Sequence, residues 1–345
     1  MLSFEEFQEY VMDHIREYLP EEYANAEVSV RTVQKLNGVT LQGLEIWTPE
    51  MKQGTGVTPT IYLNGIYENY ENGVDLEVIM EHIGNLERQS MDLPEDVAEI
   101  KEMYKDVNYV KDRLIVSLIS AERNVDFLKE IVRPYRMLED LAIFYKVLIS
   151  KDANGTGTIT VTNNHMEYWG LTEEQLYETA IKNSNVLEPP SIDRLTNVMA
   201  DLMRAQGMDE DIIENKLKED DIDMYVISNT TKANGASVIV YSDALQQVAE
   251  NLGSDLYILP SSIHEVLALP VGNKDVDSLE EMVRCVNQTE VSPTVLSDNV
   301  YKYDAESRTL SLASAKAETV KETAVCEPSG YTGTVNEVAR PRHHR

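Results

Sequence analysis

The sequence predicts an α+β fold: antiparallel sheets with packed helices, a βαβ-type layer near the C-terminus and a disordered C-terminal tail. Three observations support this prediction. Asn-Gly steps separate alternating apolar and polar runs, which is the pattern of β-hairpins. Runs with apolar residues at helical spacing follow N-cap residues. Residues 314–345 have no apolar period and no strand or helix signal.

The N-terminal segment, residues 1–92, combines helix and hairpin signals. A capping-box pattern that begins at Ser3 precedes apolar residues at helical spacing and predicts a helix from Phe4 to Leu19. Two alternating runs flank Asn37-Gly38 and predict a hairpin. A second periodic stretch predicts a helix over residues 75–90. We expect one sheet packed against helices here.

The middle segment, residues 93–220, has the same mixture. Residues 141–150 are β-branched and aromatic, and a Gly-containing turn follows them, which predicts a second hairpin. Thr172 is an N-cap candidate with Gln175 in the first turn of the predicted helix that follows. Residues 192–218 are predicted to be helical throughout.

The C-terminal segment, residues 221–313, shows the most regular alternation of elements. A helix is predicted after Asp243, ending at Gly253. Strands are predicted at 224–228, 236–241, 256–259 and 263–269. Strands on either side of a helix are typical of a βαβ-type layer.

Net charge is the strongest compositional signal. The chain has 60 acidic and 30 basic residues, for a formal charge of −30. Phosphate contacts need a basic surface, so this charge argues against direct nucleic acid binding. It suits a well-solvated surface or an acidic face that docks a basic protein partner. The 18 tyrosines, against 4 phenylalanines, favour a binding surface because tyrosine joins apolar area to a polar tip.

The remaining bulk features predict a cytoplasmic protein. No apolar run has the length of a membrane span, and the N-terminus lacks the features of an export signal. Cys285 and Cys326 are expected to be free thiols. The histidines have no metal-ligand spacing, and the glycines lack the strand-to-helix context of a nucleotide cradle, so no metal and no cofactor are predicted.

One group of residues has the composition of an active site. Lys232 and Ser237 belong to the loop after one predicted strand, and Ser261, Ser262 and His264 follow a later one. If the strands are sheet neighbours, the two loops meet and gather hydroxyls, an amine and an imidazole, which suit acid–base or nucleophilic chemistry. The alternative is an ordinary turn at 260–262 followed by a hydrogen-bonded structural histidine.

These features leave three hypotheses for function. The leading one is a cytoplasmic interaction or regulatory protein without catalysis, which binds a protein partner through an acidic, tyrosine-containing face. The second is a hydrolase-like enzyme with a site near Lys232, Ser237 and His264. The third is an inhibitor encoded on a mobile element that imitates the charge of a nucleic acid.

The C-terminal segment also carries a family resemblance. Residues 225–229 and 234–236 form a strand–loop pattern, YVISN followed by NGA, and residues 252–266 read LGSDLYILPSSIHEV. This block resembles an uncharacterised family of acidic proteins of unknown function. The resemblance extends to about residue 313. It implies an origin in anaerobic gut bacteria, often near mobile elements, and implies no activity.

Overall fold

The chain divides into two compact units, Met1–Val110 and Lys111–Arg345. The computed structural model describes residues 1–53, 58–91, 106–129, 133–152, 155–219, 223–260, 262–272, 275–291 and 294–314. Strands in both units pair in antiparallel sheets, and helices pack against them, which confirms the predicted α+β class. The predicted disordered tail lies outside the described residues after Ser314.

The first unit contains one three-stranded antiparallel sheet, ordered β1-β2-β3, with helices packed on it. Its elements are α1 (Phe4–His14), β1 (Glu27–Gln34), β2 (Thr40–Trp47), α2 (Pro49–Gln53), β3 (Thr60–Tyr62), α3 (Leu63–Glu71) and α4 (Leu76–Met91). A short helix, α5 (Val107–Lys111), lies at the boundary between the units.

Local sequence signals explain the start of this unit. The Ser3 hydroxyl accepts the Glu6 N–H and the Glu6 carboxylate accepts the Ser3 N–H, so the predicted capping box is confirmed. The predicted hairpin is also confirmed, because β1 and β2 pair in register around a turn in which Asn37 and Gly38 have positive φ. Apolar side chains of α1, β2 and α4 form the core, among them Phe7, Val11, Leu44, Ile46, Met80 and Ile83.

The second unit contains two antiparallel sheets. Its elements up to the second sheet are β4 (Leu114–Ser120), α6 (Val125–Lys129), β5 (Tyr135–Leu138), β6 (Leu141–Asp152), β7 (Gly155–Thr160), α7 (Asn163–Trp169) and α8 (Glu173–Leu187). Strand β6 is the centre of the first of these sheets, with β4 on one side and both β5 and β7 on the other. Helix α8 packs against β4 and β6. The predicted hairpin over residues 141–150 is therefore confirmed as β6–β7.

The second sheet has six strands in the order β13-β12-β10-β11-β9-β8. The elements are β8 (Pro190–Arg194), α9 (Leu195–Ala205), α10 (Glu210–Glu219), β9 (Tyr225–Asn229), α11 (Val238–Tyr241), α12 (Ala244–Leu252), β10 (Leu256–Leu259), β11 (Val266–Pro270), α13 (Val276–Val286), β12 (Tyr301–Asp304) and β13 (Thr309–Leu312). Because β11 is antiparallel to both β9 and β10, those two strands run parallel with helices α11 and α12 between them along the chain. This is the predicted βαβ-type layer, with β11 inserted between its strands.

Three element predictions in this unit are wrong. Residues 236–241 are helical and not a strand, because the left-handed backbone at Asn234 starts a 3₁₀ turn over Gly235–Ser237 that continues into α11. Strand β11 begins at Val266 and not at residue 263, because the preceding residues form a bend. Residues 192–194 belong to β8, and a break at Gly207, with φ of 80°, separates α9 from α10.

The sequence predicted three folded segments, residues 1–92, 93–220 and 221–313, whereas the structure divides into two units. Strand β8 comes from the predicted middle segment and pairs with β9 of the predicted C-terminal segment. Together with the tail, residues 314–345, this four-part division stays a prediction.

Candidate functional site

The loop after β9 is held in one conformation by its own polar side chains. The Asn229 amide donates to the Ala233 carbonyl at 2.9 Å, and the Thr231 hydroxyl donates to Asn229 Oδ1 at 3.0 Å. Lys232 and Asn234 both have positive φ, of 55° and 52°. Left-handed backbone at two non-glycine residues within three positions is strained, and such strain concentrates at functional loops.

Gly235 brings this loop against its neighbours more closely than any side chain allows. A Cβ there would lie 2.1 Å from Ser228 Oγ, 2.5 Å from the His264 carbonyl oxygen and 2.7 Å from the Asn229 nitrogen. Glycine is therefore required for the close approach of the two loops.

His264 lies in the bend before β11 and joins the two loops. Its N–H donates to Ser262 Oγ at 3.0 Å, and its carbonyl accepts the Ser228 hydroxyl at 2.7 Å. Its ring nitrogen Nδ1 accepts the Asn234 N–H at 3.3 Å. Since Nδ1 is an acceptor, the neutral ring carries its proton on Nε2. These bonds join the loop after β9 to the bend before β11, although β9 and β10, the two strands that the loops were expected to follow as neighbours, are separated by β11.

Of the three predicted serines, Ser237 and Ser262 lie in the described part of the chain, and the hydroxyl of each forms a hydrogen bond with a backbone group. Ser237 is fully buried, and its hydroxyl donates to the Asn234 carbonyl at 2.6 Å. Ser262 is also buried, and its hydroxyl accepts the His264 backbone N–H and so holds the bend. Ser261 lies outside the described residues. A serine nucleophile activated by the His264 ring remains a prediction.

The charge of Lys232 acts on a neighbouring carboxyl group. Burial raises the pKa of the neighbouring Glu265 carboxyl, and the positive charge of Lys232 partly offsets this effect. Glu265, like His264, precedes β11, which begins at Val266.

Two further residues next to His264 were missed from the sequence. Burial lowers the pKa of the His264 ring, and the charge of Lys146 lowers it further, so Lys146 lies close by. Burial also lowers the pKa of Lys146 to about 8, and Glu188 partly offsets this effect. Glu188 is only 5% exposed, and burial raises its carboxyl pKa.

The missed residues do carry a sequence signal. Lys146 interrupts the apolar run LAIFYKVLI, and a lysine on a strand with apolar residues on both faces is hard to bury without a function or a partner. Glu188 stands directly before Pro189-Pro190, where a helix has to end. Nothing in the sequence says that the two residues meet the loops, because that contact depends on the packing of two different sheets.

A second polar group weighed from the sequence lies at α7. His165 and Trp169 stack with ring centroids 5.3 Å apart, and the Thr162 N–H donates to His165 Nδ1 at 3.1 Å. Trp169 is buried, whereas Tyr168 is 65% exposed. A shallow groove runs beside this helix, lined by Asn163, Met166, Glu167, Gly170, Leu171 and Thr172. The histidine here serves as a helix cap and a ring contact.

In the described part of the chain, no group of three or more His, Cys, Asp or Glu residues is arranged to hold a metal ion. Among the same residues, no helix combines the length and the apolar character that a membrane crossing requires.

Comparison with known proteins places the chain in a family. A model of a family of unknown function, DUF5688, matches residues 4–305. The chain belongs to this family. The match includes both units and the complete pair of loops around His264, and it ends just after β12. No curated protein and no solved structure matches the chain.

Proposed function

We propose that this member of the family is an interaction protein that binds a basic, partly apolar segment of a protein partner through the helical side of its first unit. The observation that carries the proposal is the distribution of ion pairs in that unit. Arg31 of β1 pairs with Glu45 of β2, and Lys52 of α2 pairs with Glu27 of β1. The exposed carboxylates of the helical side have no lysine or arginine partner among the described residues. We call these the acidic helical face: Glu6, Glu17, Glu71, Glu77 and Glu81.

Tyrosines lie among these carboxylates. Burial raises the pKa of the Tyr18 hydroxyl, and the charges of Glu77, Glu17 and Glu81 raise it further, so these groups are neighbours. At the other end of α1, burial and then the charges of Glu71 and Glu6 raise the pKa of Tyr67 in the same way.

The tyrosines are held by the N-terminus of the chain. The Tyr67 hydroxyl donates to the Leu2 carbonyl, and the Tyr70 hydroxyl accepts the Leu2 N–H, both at 3.0 Å. Their rings are 6.0 Å apart and contact Phe7. Of these carboxylates, Glu17 lies 3.0 Å from His14. Aromatic rings fixed beside carboxylates that have no lysine or arginine partner suit a ligand that has both cationic and apolar side chains.

The test is a titration of fluorescein-labelled peptides of twelve residues that alternate arginine with leucine. The proposal predicts that converting the five glutamates of the acidic helical face to glutamine weakens binding about tenfold or more. Binding to the unchanged chain is expected to weaken as salt rises from about 0.05 M to about 0.3 M, because the carboxylates are exposed.

The matched control has five exposed acidic residues of the second unit converted to the amides: Glu178, Asp201, Glu214, Asp243 and Glu250. It removes the same charge from the chain and is expected to retain binding within about twofold. Equal losses in the two variants would show that the peptide responds only to net charge, and the proposal would then be wrong. A fluorescein-labelled peptide of alternating glutamate and leucine should bind neither the unchanged chain nor the two variants.

A further inference from the structure

Strand β1 lies at the edge of the three-stranded sheet of the first unit. It is eight residues long, and β2 pairs with it along its whole length on one side. No described strand pairs with it on the other side. An unpaired edge presents N–H and C=O groups that another strand can bond, so proteins usually keep such edges short or protect them. Strand β1 is instead longer than an average strand.

The hydrogen bonds of β2 show which groups of β1 point away from the sheet. The Gln42 N–H donates to Asn64 Oδ1 at 2.7 Å, on the side of β2 that faces β3. In an antiparallel pair the two opposed residues either bond each other or both point away, and this alternates along the strand. The residues of β1 opposite Gln42, Leu44 and Ile46 therefore direct their backbone groups outward. These residues are Thr32, Val30 and Val28. Their N–H and C=O groups make no hydrogen bond with a described residue.

The two faces of β1 differ in character. Val28 and Val30 pack against the core of the unit but are only half-buried, so a further strand would cover more of their apolar surface. Glu27 and Arg31 lie on the opposite face, with side chains 68% and 62% exposed. Each has one ion pair within the unit, made by Glu27 Oε2 and by Arg31 Nε. Glu27 Oε1 and the terminal guanidinium nitrogens are therefore left for a second ion pair.

From this edge we propose that β1 pairs antiparallel with β1 of a second copy of the chain, which joins the two sheets into one around a two-fold axis at Ser29. In this register Val28 of each copy exchanges main-chain hydrogen bonds with Val30 of the other. Glu27 of each copy lies opposite Arg31 of the other, so an ion pair forms on each side of the axis. The edge is self-complementary, as a two-fold interface requires.

The charges select this register over its neighbours. An axis at Arg31 would place two guanidinium groups opposite each other, which is destabilising. An axis at Val30 would place Glu27 opposite Val33 and leave the carboxylate without an opposed cation. With Ser29 on the axis, two small hydroxyl side chains meet between the ion pairs. The charge match lies within the sequence of the strand itself, and this is why the occupant is a second copy and not a strand of another protein.

The first test is sedimentation equilibrium of the full chain at about 50 μM in about 0.15 M NaCl, because two acidic copies repel each other at low salt. We expect the unchanged chain to be at least about half dimeric. Arg31→Glu places two carboxylates opposite each other and should weaken the dimer about tenfold or more. Adding Glu27→Arg to the same chain reverses the pair and should restore the dimer to within about threefold. Thermal unfolding checks that the first unit of each variant is folded.

A disulfide test locates the axis without a change of charge. The chain carries Cys285→Ser and Cys326→Ser, so that each introduced thiol is the only one. Ser29→Cys should form an intermolecular disulfide in oxidised glutathione, because opposed residues of this kind have Cα atoms about 4.5 Å apart. Val33→Cys lies on the same strand and face but is distant from its own copy across the axis. It should cross-link at least about ten times more slowly.

Three results would overturn the proposal. One is a chain that is monomeric at about 50 μM, which would leave the edge of β1 for a strand of another protein. Another is a loss in Arg31→Glu that Glu27→Arg does not restore, because the dimer would then use another surface. The third is equal cross-linking of the cysteines at positions 29 and 33. A dimer that the reversed pair restores and that Ser29→Cys cross-links preferentially would support the pairing of β1 with itself.

Discussion

At the scale of single residues, Glu87 shows how a buried charge can control the stability of the first unit. It lies on α4 with none of its surface exposed, and neither carboxyl oxygen accepts a hydrogen bond from a described residue. Burial raises its carboxyl pKa to about 7, and the nearby Tyr23 hydroxyl offsets only part of this effect. The carboxyl is therefore protonated in the folded unit at a pH where the unfolded chain is ionised.

The sign of the pH dependence follows from this shift. Because the folded pKa is above the unfolded value of 4.5, Glu87 favours folding most at low pH, and that contribution is lost as pH rises from 4.5 to about 7. The Glu87→Gln variant has no carboxyl to ionise at this position, so its stability does not fall for this reason as the pH rises. We expect its free energy of unfolding to exceed that of the unchanged protein by up to about 3 kcal/mol at pH 8, and the advantage to disappear near pH 4.5.

Urea unfolding followed by Trp47 fluorescence in a Trp169→Phe background measures this difference, because Trp47 belongs to the first unit. The control is Glu81→Gln, an exposed position on the same helix. A difference between Glu87→Gln and the unchanged protein that stays constant with pH would contradict the assigned ionisation.

At the scale of secondary-structure elements, the start of α8 depends on Thr172. Its hydroxyl accepts the Gln175 N–H at 3.3 Å, and the Gln175 side chain accepts the Thr172 N–H at 3.0 Å. Replacing Thr172 with alanine removes the hydroxyl that accepts the Gln175 N–H but keeps the backbone N–H that donates to Gln175, and we expect the second unit to lose about 1 kcal/mol of stability. Thr172→Ser should retain most of it. Urea unfolding followed by Trp169 fluorescence checks this, and equal effects of the two substitutions would argue against the capping role.

The loop between β9 and α11 depends on Gly235. A methyl group there would overlap the backbone of Asn229 and of His264, so Gly235→Ala must displace the loop. We expect it to lower the stability of the second unit by about 2 kcal/mol or more. Gly65→Ala on α3 is the control, because a Cβ at that position meets nothing within 4 Å and alanine favours a helix. Normal stability of Gly235→Ala would mean that the loops do not approach as closely as the structure shows.

The same loop shows which elements the sequence could predict. Caps and alternating runs are local signals, so α1, the β1–β2 hairpin and the β6–β7 hairpin were predicted correctly. The helical turn at residues 235–241 was not, because its apolar, β-branched residues favour a strand and only contact with the His264 bend decides otherwise.

The candidate site shows the same division. The sequence predicted a meeting of the two loops only as a consequence of neighbouring strands, but β11 lies between β9 and β10 in the sheet, and the contact with His264 is made by the bend before β11. It did not predict Lys146 and Glu188, which come from β6 and from the end of α8. A site assembled from separate sheets depends on long-range packing that no local pattern encodes.

At the scale of the whole molecule, the negative charge is unevenly distributed between the units. Residues 1–110 hold more than a third of the acidic residues but fewer than a quarter of the basic ones, and so about half of the net charge in about a third of the chain. Carboxylates without counterions repel one another across a folded surface and reduce its stability. The first unit should therefore be the more sensitive of the two to ionic strength.

Thermal unfolding at two salt concentrations tests this expectation. We expect a rise from about 0.02 M to about 0.3 M NaCl to increase the unfolding midpoint of the first unit more than that of the second, because the shorter Debye length screens the repulsion among its exposed carboxylates. Trp47 and Trp169 report the units separately when the other tryptophan is phenylalanine. The variant with five glutamines on the acidic helical face should lose most of the extra response of the first unit, whereas the matched variant of the second unit should keep it. If the two units respond equally to salt, repulsion among the carboxylates on the helical side does not reduce the stability of the first unit, and the prediction is wrong.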